Sequence, residues 1–272
     1  MCRVFCLLLT AIAFTSCSLN NVNQDPSLKQ YFDQVGVNGT FGLFNNGNGE
    51  FTIYNLNRFK DSAYLPASTF KIVNSLIGLQ TGRVRDDSAI IPWDGITREI
   101  AEWNQDLTMA QAFRYSSVPW FQELARRIGK DTMQLWLDSL HYAASKERAV
   151  IRRIDTFWLD NSVKITADEQ LGLMKKLYFG QLPFFKRTMD IVKSMMLQEE
   201  TPLYKLSYKT GWAHTEKGNS LGWVVGWIEE NRHPYFFVLQ VESPDPDFDL
   251  RTTRITLLKQ ILKHHGFLEG KK

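Results

Sequence analysis

What the chain lacks narrows it first. All three cysteines, Cys2, Cys6 and Cys17, fall within the first 17 of 272 residues, so the rest of the chain can form neither a disulfide nor a thiolate metal site. Lysine plus arginine (32) barely exceed aspartate plus glutamate (29), and no basic run is longer than two residues. That pattern argues against a nucleic-acid partner, whose phosphates demand a clustered positive face. After residue 17 no stretch approaches about 18 consecutive apolar residues, so nothing there reads as a membrane span. Internal repeats and low-complexity linkers are absent too. The five histidines, among them His264-His265 in a helical stretch, form no metal-ligand spacing and read as surface residues, so no metal is expected. With 44% hydrophobic and 22% charged residues the chain is neither disordered nor collagen-like, and its length suits one large domain or two small ones.

What is present begins with an export signal. Arg3, the apolar run from Val4 to Phe14 and the small residues Thr15-Ser16 before Cys17 have the layout of a secretory signal over residues 1–17, too short to anchor as a span. Thr-Ser-Cys followed by the polar Ser18-Leu19-Asn20-Asn21 resembles a bacterial lipoprotein signal, in which Cys17 becomes the acylated first residue of the mature protein. Residues 18–26 then read as a tether and 27–267 as the folded domain. The expected location is the periplasm, with attachment to the membrane through a lipid on Cys17. Phe14 departs from the lipoprotein pattern, and an ordinary signal peptide cut near the same place is the alternative.

Hydrophobic patterning places strands at both ends and helices between them. Thr40 to Phe44 and Glu50 to Tyr54 read as a hairpin around the turn-rich Asn45-Asn46-Gly47-Asn48-Gly49. Thr108 to Arg127 has helical spacing interrupted at Pro119, and Thr166-x-x-Glu169 is a capping box opening a helix that stops at Gly180. Strand-like runs follow at Leu203 to Trp212, Leu221 to Ile228 and Tyr235 to Val241, then a last helix from about Thr252 to His265. The order predicts an α+β fold, an antiparallel sheet built from both termini and flanked by helices, with a mainly helical middle.

Three short motifs could carry chemistry. Ser68-Thr69-Phe70-Lys71 opens an apolar helix, and the i, i+3 spacing puts Ser68 and Lys71 on one face. A serine hydroxyl needs a base, and a lysine serves as one only where burial and the helix N-terminus lower its pKa. About one Ser-x-x-Lys is expected by chance in this composition, so taken alone the pair is equally a helix-capping serine with a solvated lysine. Lys209-Thr210-Gly211, at the end of an alternating strand and before Trp212, is expected only about 0.07 times by chance. It offers backbone N–H groups, a hydroxyl and a cation suited to an oxyanion and a substrate carboxylate. Between them, Tyr115-Ser116-Ser117-Val118-Pro119 breaks a helical pattern and exposes Ser116 to a cleft.

Ser, Lys, Ser and Lys in this order are the constellation of penicillin-recognising serine enzymes. Ser68-Thr69-Phe70-Lys71, Ser116-Ser117-Val118, Phe157-Trp158-Leu159, Tyr208-Lys209-Thr210-Gly211-Trp212 and Leu221-Gly222-Trp223 together resemble the class D β-lactamases, over about residues 27 to 267. The resemblance implies the β-lactamase/transpeptidase-like fold and hydrolysis of the β-lactam amide through a serine acyl-enzyme. It makes Ser68 the nucleophile and Lys71 the base, carbamylated to N6-carboxylysine by carbon dioxide or bicarbonate, with no other cofactor. Trp158 would donate its indole N–H to that carbamate, Ser116 would relay a proton to the leaving nitrogen beside Lys209, and the N–H groups of Ser68 and Trp212 would form the oxyanion hole. Val118 supplies an apolar wall, and Thr210, Gly211 and Arg251 line the substrate, Arg251 pairing its carboxylate. One departure stands out: Tyr142-Ala143-Ala144 occupies the place of the family's aromatic-Gly-Asn triplet.

Two other readings share part of the pattern. A penicillin-binding peptidase also carries Ser-x-x-Lys and Lys-Thr-Gly but releases penicillins very slowly, and Trp158 with a carbamylated Lys71 argues against it. A sensor that is acylated once and signals would need membrane-spanning segments to pass the signal inward. The expected partner is a small β-lactam, with no obligate protein partner evident.

Overall fold

The computed structural model describes residues 21–144 and 149–272. The segment expected to be an export signal, with Cys17 and the other two cysteines, lies outside the described residues. Among the described residues no helix is long and apolar enough to cross a membrane, and no cluster of His, Cys, Asp and Glu side chains is placed to hold a metal ion.

A seven-stranded sheet forms the spine. Its strands are β1 (Val22–Gln24), β2 (Asn38–Asn45), β3 (Glu50–Tyr54), β8 (Leu197–Glu200), β9 (Tyr204–His214), β10 (Ser220–Glu230) and β11 (His233–Ser243), in the spatial order β1-β3-β2-β11-β10-β9-β8. Every neighbouring pair is antiparallel except β1 with β3, which makes the sheet mixed rather than wholly antiparallel. Two two-residue pairs lie apart from it: β4 (Ala63–Tyr64) with β7 (Ile165–Thr166), and β5 (Ile90–Ile91) with β6 (Leu107–Thr108). Part of the segment assigned to the tether belongs to the fold: Val22–Gln24 pairs with Phe51 to Ile53, and Asp25 caps a short 3-10 turn at Pro26–Leu28.

The central strands are apolar on both faces, which is why their sequences read as continuous runs rather than alternating ones. Trp223, Val225, Trp227, Phe236 and Val238 join the larger core cluster with the helical half of the molecule. Val224, Ile228, Phe237, Leu239 and Val241 point the other way, against Leu257, Leu258 and Ile261 of the C-terminal helix α9 (Leu250–His264). Burying each such side chain contributes about 1.5–3 kcal/mol, so the sheet is held from both sides. On the second face lie α1 (Lys29–Gln34) and α9, where His265, expected at the surface, is half-buried against the Phe41 ring with Asp25 nearby.

The remaining helices build the other layer: α2 (Leu56–Asp61), α3 (Lys71–Gln80), α4 (Met109–Arg114), α5 (Val118–Ile128), α6 (Lys130–Leu140), α7 (Ala167–Tyr178) and α8 (Lys186–Met196). The break expected at Pro119 falls earlier, at Tyr115–Ser117. Pro119 sits in the first turn of α5, where its missing N–H costs nothing, and Ser116 takes the left-handed conformation at φ 56°. The Thr166 capping box forms in full, with each of Thr166 and Glu169 accepting the other's backbone N–H. Because that cap starts the helix packed directly on the sheet, Thr166→Ala should cost about 1 kcal/mol, read as a lower denaturant midpoint at unchanged slope. A midpoint equal to that of the parent would mean the cap is dispensable.

Candidate active site

Four segments far apart in sequence meet at the exposed edge of β9. The first is the turn Ala67–Phe70, a 3-10 segment running into α3. Ala67 holds φ 50°, a left-handed conformation that costs a non-glycine residue about 1–2 kcal/mol. The surroundings impose it: the Ala67 N–H donates to Trp158 O at 3.0 Å, Trp223 Nε1 donates to Leu65 O at 3.0 Å, and Gln170 Nε2 donates to Thr69 Oγ1 at 2.7 Å. Strain held this way is a mark of functional turns.

Ser68, nearly buried, faces Lys71, whose Nζ donates to Ser68 Oγ at 2.7 Å. Lys71 is 0% exposed and has no carboxylate partner among the described residues. Besides the Ser68 hydroxyl, the Phe121 ring lies 5.6 Å from its Nζ. Burial therefore lowers its pKa to about 7. The solvated-lysine reading fails on this observation: Lys71 is poised as a neutral amine within proton-transfer distance of a hydroxyl.

Trp158 closes the same pocket. Its indole stacks on Phe70 at 5.4 Å and is fully buried, yet its Nε1 has no hydrogen-bond partner. A buried donor left unpaired costs about 1–3 kcal/mol, so its place against this pocket calls for an acceptor. An anionic group on Lys71 fits that requirement. Tyr142 packs edge-on against Phe70 at 5.6 Å as a further wall. Beside it, Ala143 holds φ 57°, a left-handed conformation that strains an alanine where glycine would adopt it freely.

The second serine and lysine form a matching pair. Lys209 Nζ donates to Ser116 Oγ at 2.9 Å and to Thr210 O at 3.2 Å. Burial first, and then the positive charges of Lys71 and Arg254, push the Lys209 pKa well below the ordinary lysine range. Trp103 Nε1 fixes the left-handed turn by donating to Tyr115 O at 3.1 Å. Strand alternation turns Lys209 and Gly211 toward the nucleophile turn and Thr210 and Trp212 toward α9. Gly211 has to be glycine for space: a Cβ there would lie 3.0 Å from Pro66 O and 3.3 Å from Thr69 Cγ2, so any side chain would push β9 off Ser68.

The other expected residues surround this centre. Val118 is half-buried at the start of α5, Thr210 half-buried, and Trp212 exposed at 47% with its Nε1 donating to Ser220 Oγ at 3.0 Å. Arg251, in the first turn of α9, is exposed and forms no ion pair with any described residue. Two residues escaped the sequence reading, the buried Gln170 and the buried Arg254, which donates to Gly211 O. Each breaks the apolar stripe of its helix, Gln170 beside Leu171 and Met174, Arg254 between Leu250 and Leu257. That interruption is the signal by which they could have been found.

The comparisons with known proteins agree with this geometry. The profile of the penicillin binding protein transpeptidase domain matches residues 19–263. Beta-lactamase OXA-48 of Klebsiella pneumoniae is 37% identical over 246 residues, 90% of each chain. The crystal structure of a class D β-lactamase from Nostoc superposes with a TM-score of 0.83 at 37% identity, covering 90% of this chain and all of that one. The C-terminal domain of the Bacillus licheniformis BlaR penicillin-receptor is also similar, with a TM-score of 0.83 at 30% identity, covering 90% of this chain and 96% of that domain. A serine beside a desolvated lysine, a second such pair facing it across the edge of β9, and these likenesses over nine-tenths of the chain place it in the class D β-lactamase family.

Proposed function

We propose that this protein hydrolyses the β-lactam amide of penicillin-type antibiotics through an acyl-enzyme on Ser68, and thereby confers β-lactam resistance. One observation carries the reading: Ser68 Oγ lies 2.7 Å from the Nζ of a fully buried lysine, whose burial lowers its pKa to about 7. Ser68 attacks the lactam carbonyl as its proton passes to the Lys71 side, while the backbone N–H groups of Ser68 and Trp212 hold the developing oxyanion. Ser116 passes its proton to the leaving nitrogen and is reprotonated from Lys209. Thr210, Gly211 and Arg251 hold the substrate's carboxylate, and Val118 forms an apolar wall.

Lys71 carries a carbamate in this reading, and the pocket suits one. A pKa of about 7 leaves a large fraction of the amine neutral at pH 7, as addition to carbon dioxide requires, and Trp158 offers a buried N–H with no other partner among the described residues. The carbamate supplies an anionic base for acylation and for the water that releases the product. Phe70, Phe121 and Trp158 keep bulk water from it. The N-terminal signal favours export to the periplasm, with Cys17 acylated and membrane-bound. Cys17→Ala should then move the protein from the membrane to the soluble fraction; a soluble parent would refute the anchor.

Likeness to the BlaR penicillin-receptor domain favours a second reading, a sensor acylated once without release. Turnover separates the two. Steady hydrolysis of many equivalents of a penicillin is expected, and a single stoichiometric burst would favour the sensor. Ser68→Ala should abolish hydrolysis while thermal unfolding barely moves, since only one hydroxyl is lost. Mass spectrometry with a slow substrate should find the adduct on Ser68; an adduct elsewhere overturns the assignment.

The pH dependence follows from Lys71. Above about pH 7 the amine is neutral and takes up carbon dioxide; below it the amine is protonated and does not. Activity should thus fall as pH drops through about 7 and recover on adding bicarbonate, whereas Lys71→Ala should not recover. Trp158→Ala, which removes the donor and opens the pocket, should slow deacylation more than acylation, so that acyl-enzyme accumulates. Indifference to bicarbonate in degassed buffer, with no carbamate signal by carbon-13 NMR, would leave Lys71 acting as a free amine.

A further inference from the structure

The helix that carries Lys71 buries two further polar side chains that the mechanism above does not use, Asn74 and Ser75. Every residue of α3 from Lys71 to Leu79 is buried, and packing alone would fill that stretch with apolar side chains. Asn74 Oδ1 and Ser75 Oγ have no hydrogen-bond partner among the described residues, a state that costs free energy. Asparagine is also a poor helix former, because its side chain competes for the backbone. Against these costs stands one bond: Asn74 Nδ2 donates to Phe121 O on α5 at 3.1 Å.

That bond clamps together the two helices that enclose the Lys71 amine. One turn further on, Gly78 lets them close in: a Cβ there would lie 2.9 Å from both Cδ1 and Cδ2 of Leu124. Asn74 follows Lys71 at i+3 on one face of α3, and Phe121 is the residue whose ring lies 5.6 Å from Lys71 Nζ. The Phe121 ring packs edge-on against Phe113 at 6.3 Å, and the Phe113 ring lies 5.5 Å from Lys209 Nζ. One pair of rings therefore faces both buried lysines, and Asn74 holds the main chain of the first ring. Lys209, on β9, is the charged group that feels the field of Lys71. The charged side chains of α5, Glu123, Arg126 and Arg127, pair with one another on its outer face.

We infer that Asn74 is a positioning residue for the reaction: by clamping the main chain of Phe121 to α3, it keeps the aromatic wall seated over Lys71 and so keeps the base dry. Asn74 acts through the ring and not on the substrate. An aspartate in its place would supply the counter-charge that Lys71 has to lack, and a leucine would fill the space without fixing where α5 sits. With the wall withdrawn, water reaches the amine, its proton is held more tightly, and less carbamate forms at neutral pH.

This role rests on the carbamate reading of Lys71, and carbon-13 NMR with labelled bicarbonate tests it without a β-lactam. The carbamate signal is followed against pH in the parent and in Asn74→Leu, which keeps the bulk and loses the donor. The midpoint should move up by about one pH unit in Asn74→Leu, so that the bicarbonate needed for a half-maximal signal at pH 7 rises about fivefold. In excess bicarbonate at about pH 9 the signal should return to within about twofold of the parent, because the amine is then neutral in both. An unmoved midpoint, or a loss of signal equal at every pH, makes Asn74 a packing residue and overturns the inference. Phe121→Leu should raise the midpoint too, and the double variant should raise it no further than Phe121→Leu alone; additive shifts would overturn action through the ring. Should Asn74→Leu fail to give a cooperative thermal transition, Asn74→Ala decides by the same midpoint. The expected shift in a protein that hydrolyses no penicillin supports the role of Asn74 and overturns the β-lactam reading alone. A parent with no carbamate signal at any pH overturns the carbamate reading, and this inference with it.

Discussion

Everything in this molecule depends on burying a lysine without a counter-ion. An ammonium group cannot be moved from water into an apolar pocket cheaply, so a lysine kept there gives up its proton instead. Lys71 has no exposed surface, and Phe70, Phe121 and Trp158 wall it in. Its lowered pKa leaves the helix-start Ser68 with an amine able to accept a proton 2.7 Å away. The same desolvation makes the indole N–H of Trp158 costly to leave unpaired. A carboxylate placed beside Lys71 would have restored its positive charge and ended its use as a base.

The rest of the fold keeps that pocket dry and aligned. Two left-handed residues, Ala67 and Ser116, bring the two serines to face one another, and neither conformation is comfortable for a side chain. Hydrogen bonds from Gln170 and Trp223 lock the first turn, and one from Trp103 locks the second. The sheet contributes by rigidity: β9 is fixed along its length to β10, so Lys209 arrives at Ser116 in a single register.

Local features of the chain were legible without the fold. The hairpin at residues 40–54, the Thr166 capping box, the long C-terminal strands and the last helix depend on period, turn residues and caps, and each formed close to where the sequence puts it. The break near Ser116 was legible only in part. Proline marks a helix start as readily as a helix stop, so Pro119 gave a boundary but not its side. Strand Val22–Gln24 was hidden because three residues, two of them polar, are too few to show a periodicity, and a parallel partner 29 residues away at Phe51 to Ile53 decides their conformation.

By itself the sequence determined the order and identity of the candidate groups: a serine one helical turn from a lysine, a second serine at a helix break, and Lys-Thr-Gly ending a strand. What it could not determine was their protonation, since charge depends on solvent access and solvent access is a property of packing. Ser-x-x-Lys with a solvated lysine and Ser68 with a neutral Lys71 share the same four letters; only the closure of Phe70, Phe121 and Trp158 over the amine separates them. Arg251 and Arg254 make the same point from the other side. Both are arginines on one helix, but the tertiary structure leaves the first in water and seals the second beneath β9, because Gly222 and Gly211 leave space for its stem and a carbonyl for its head.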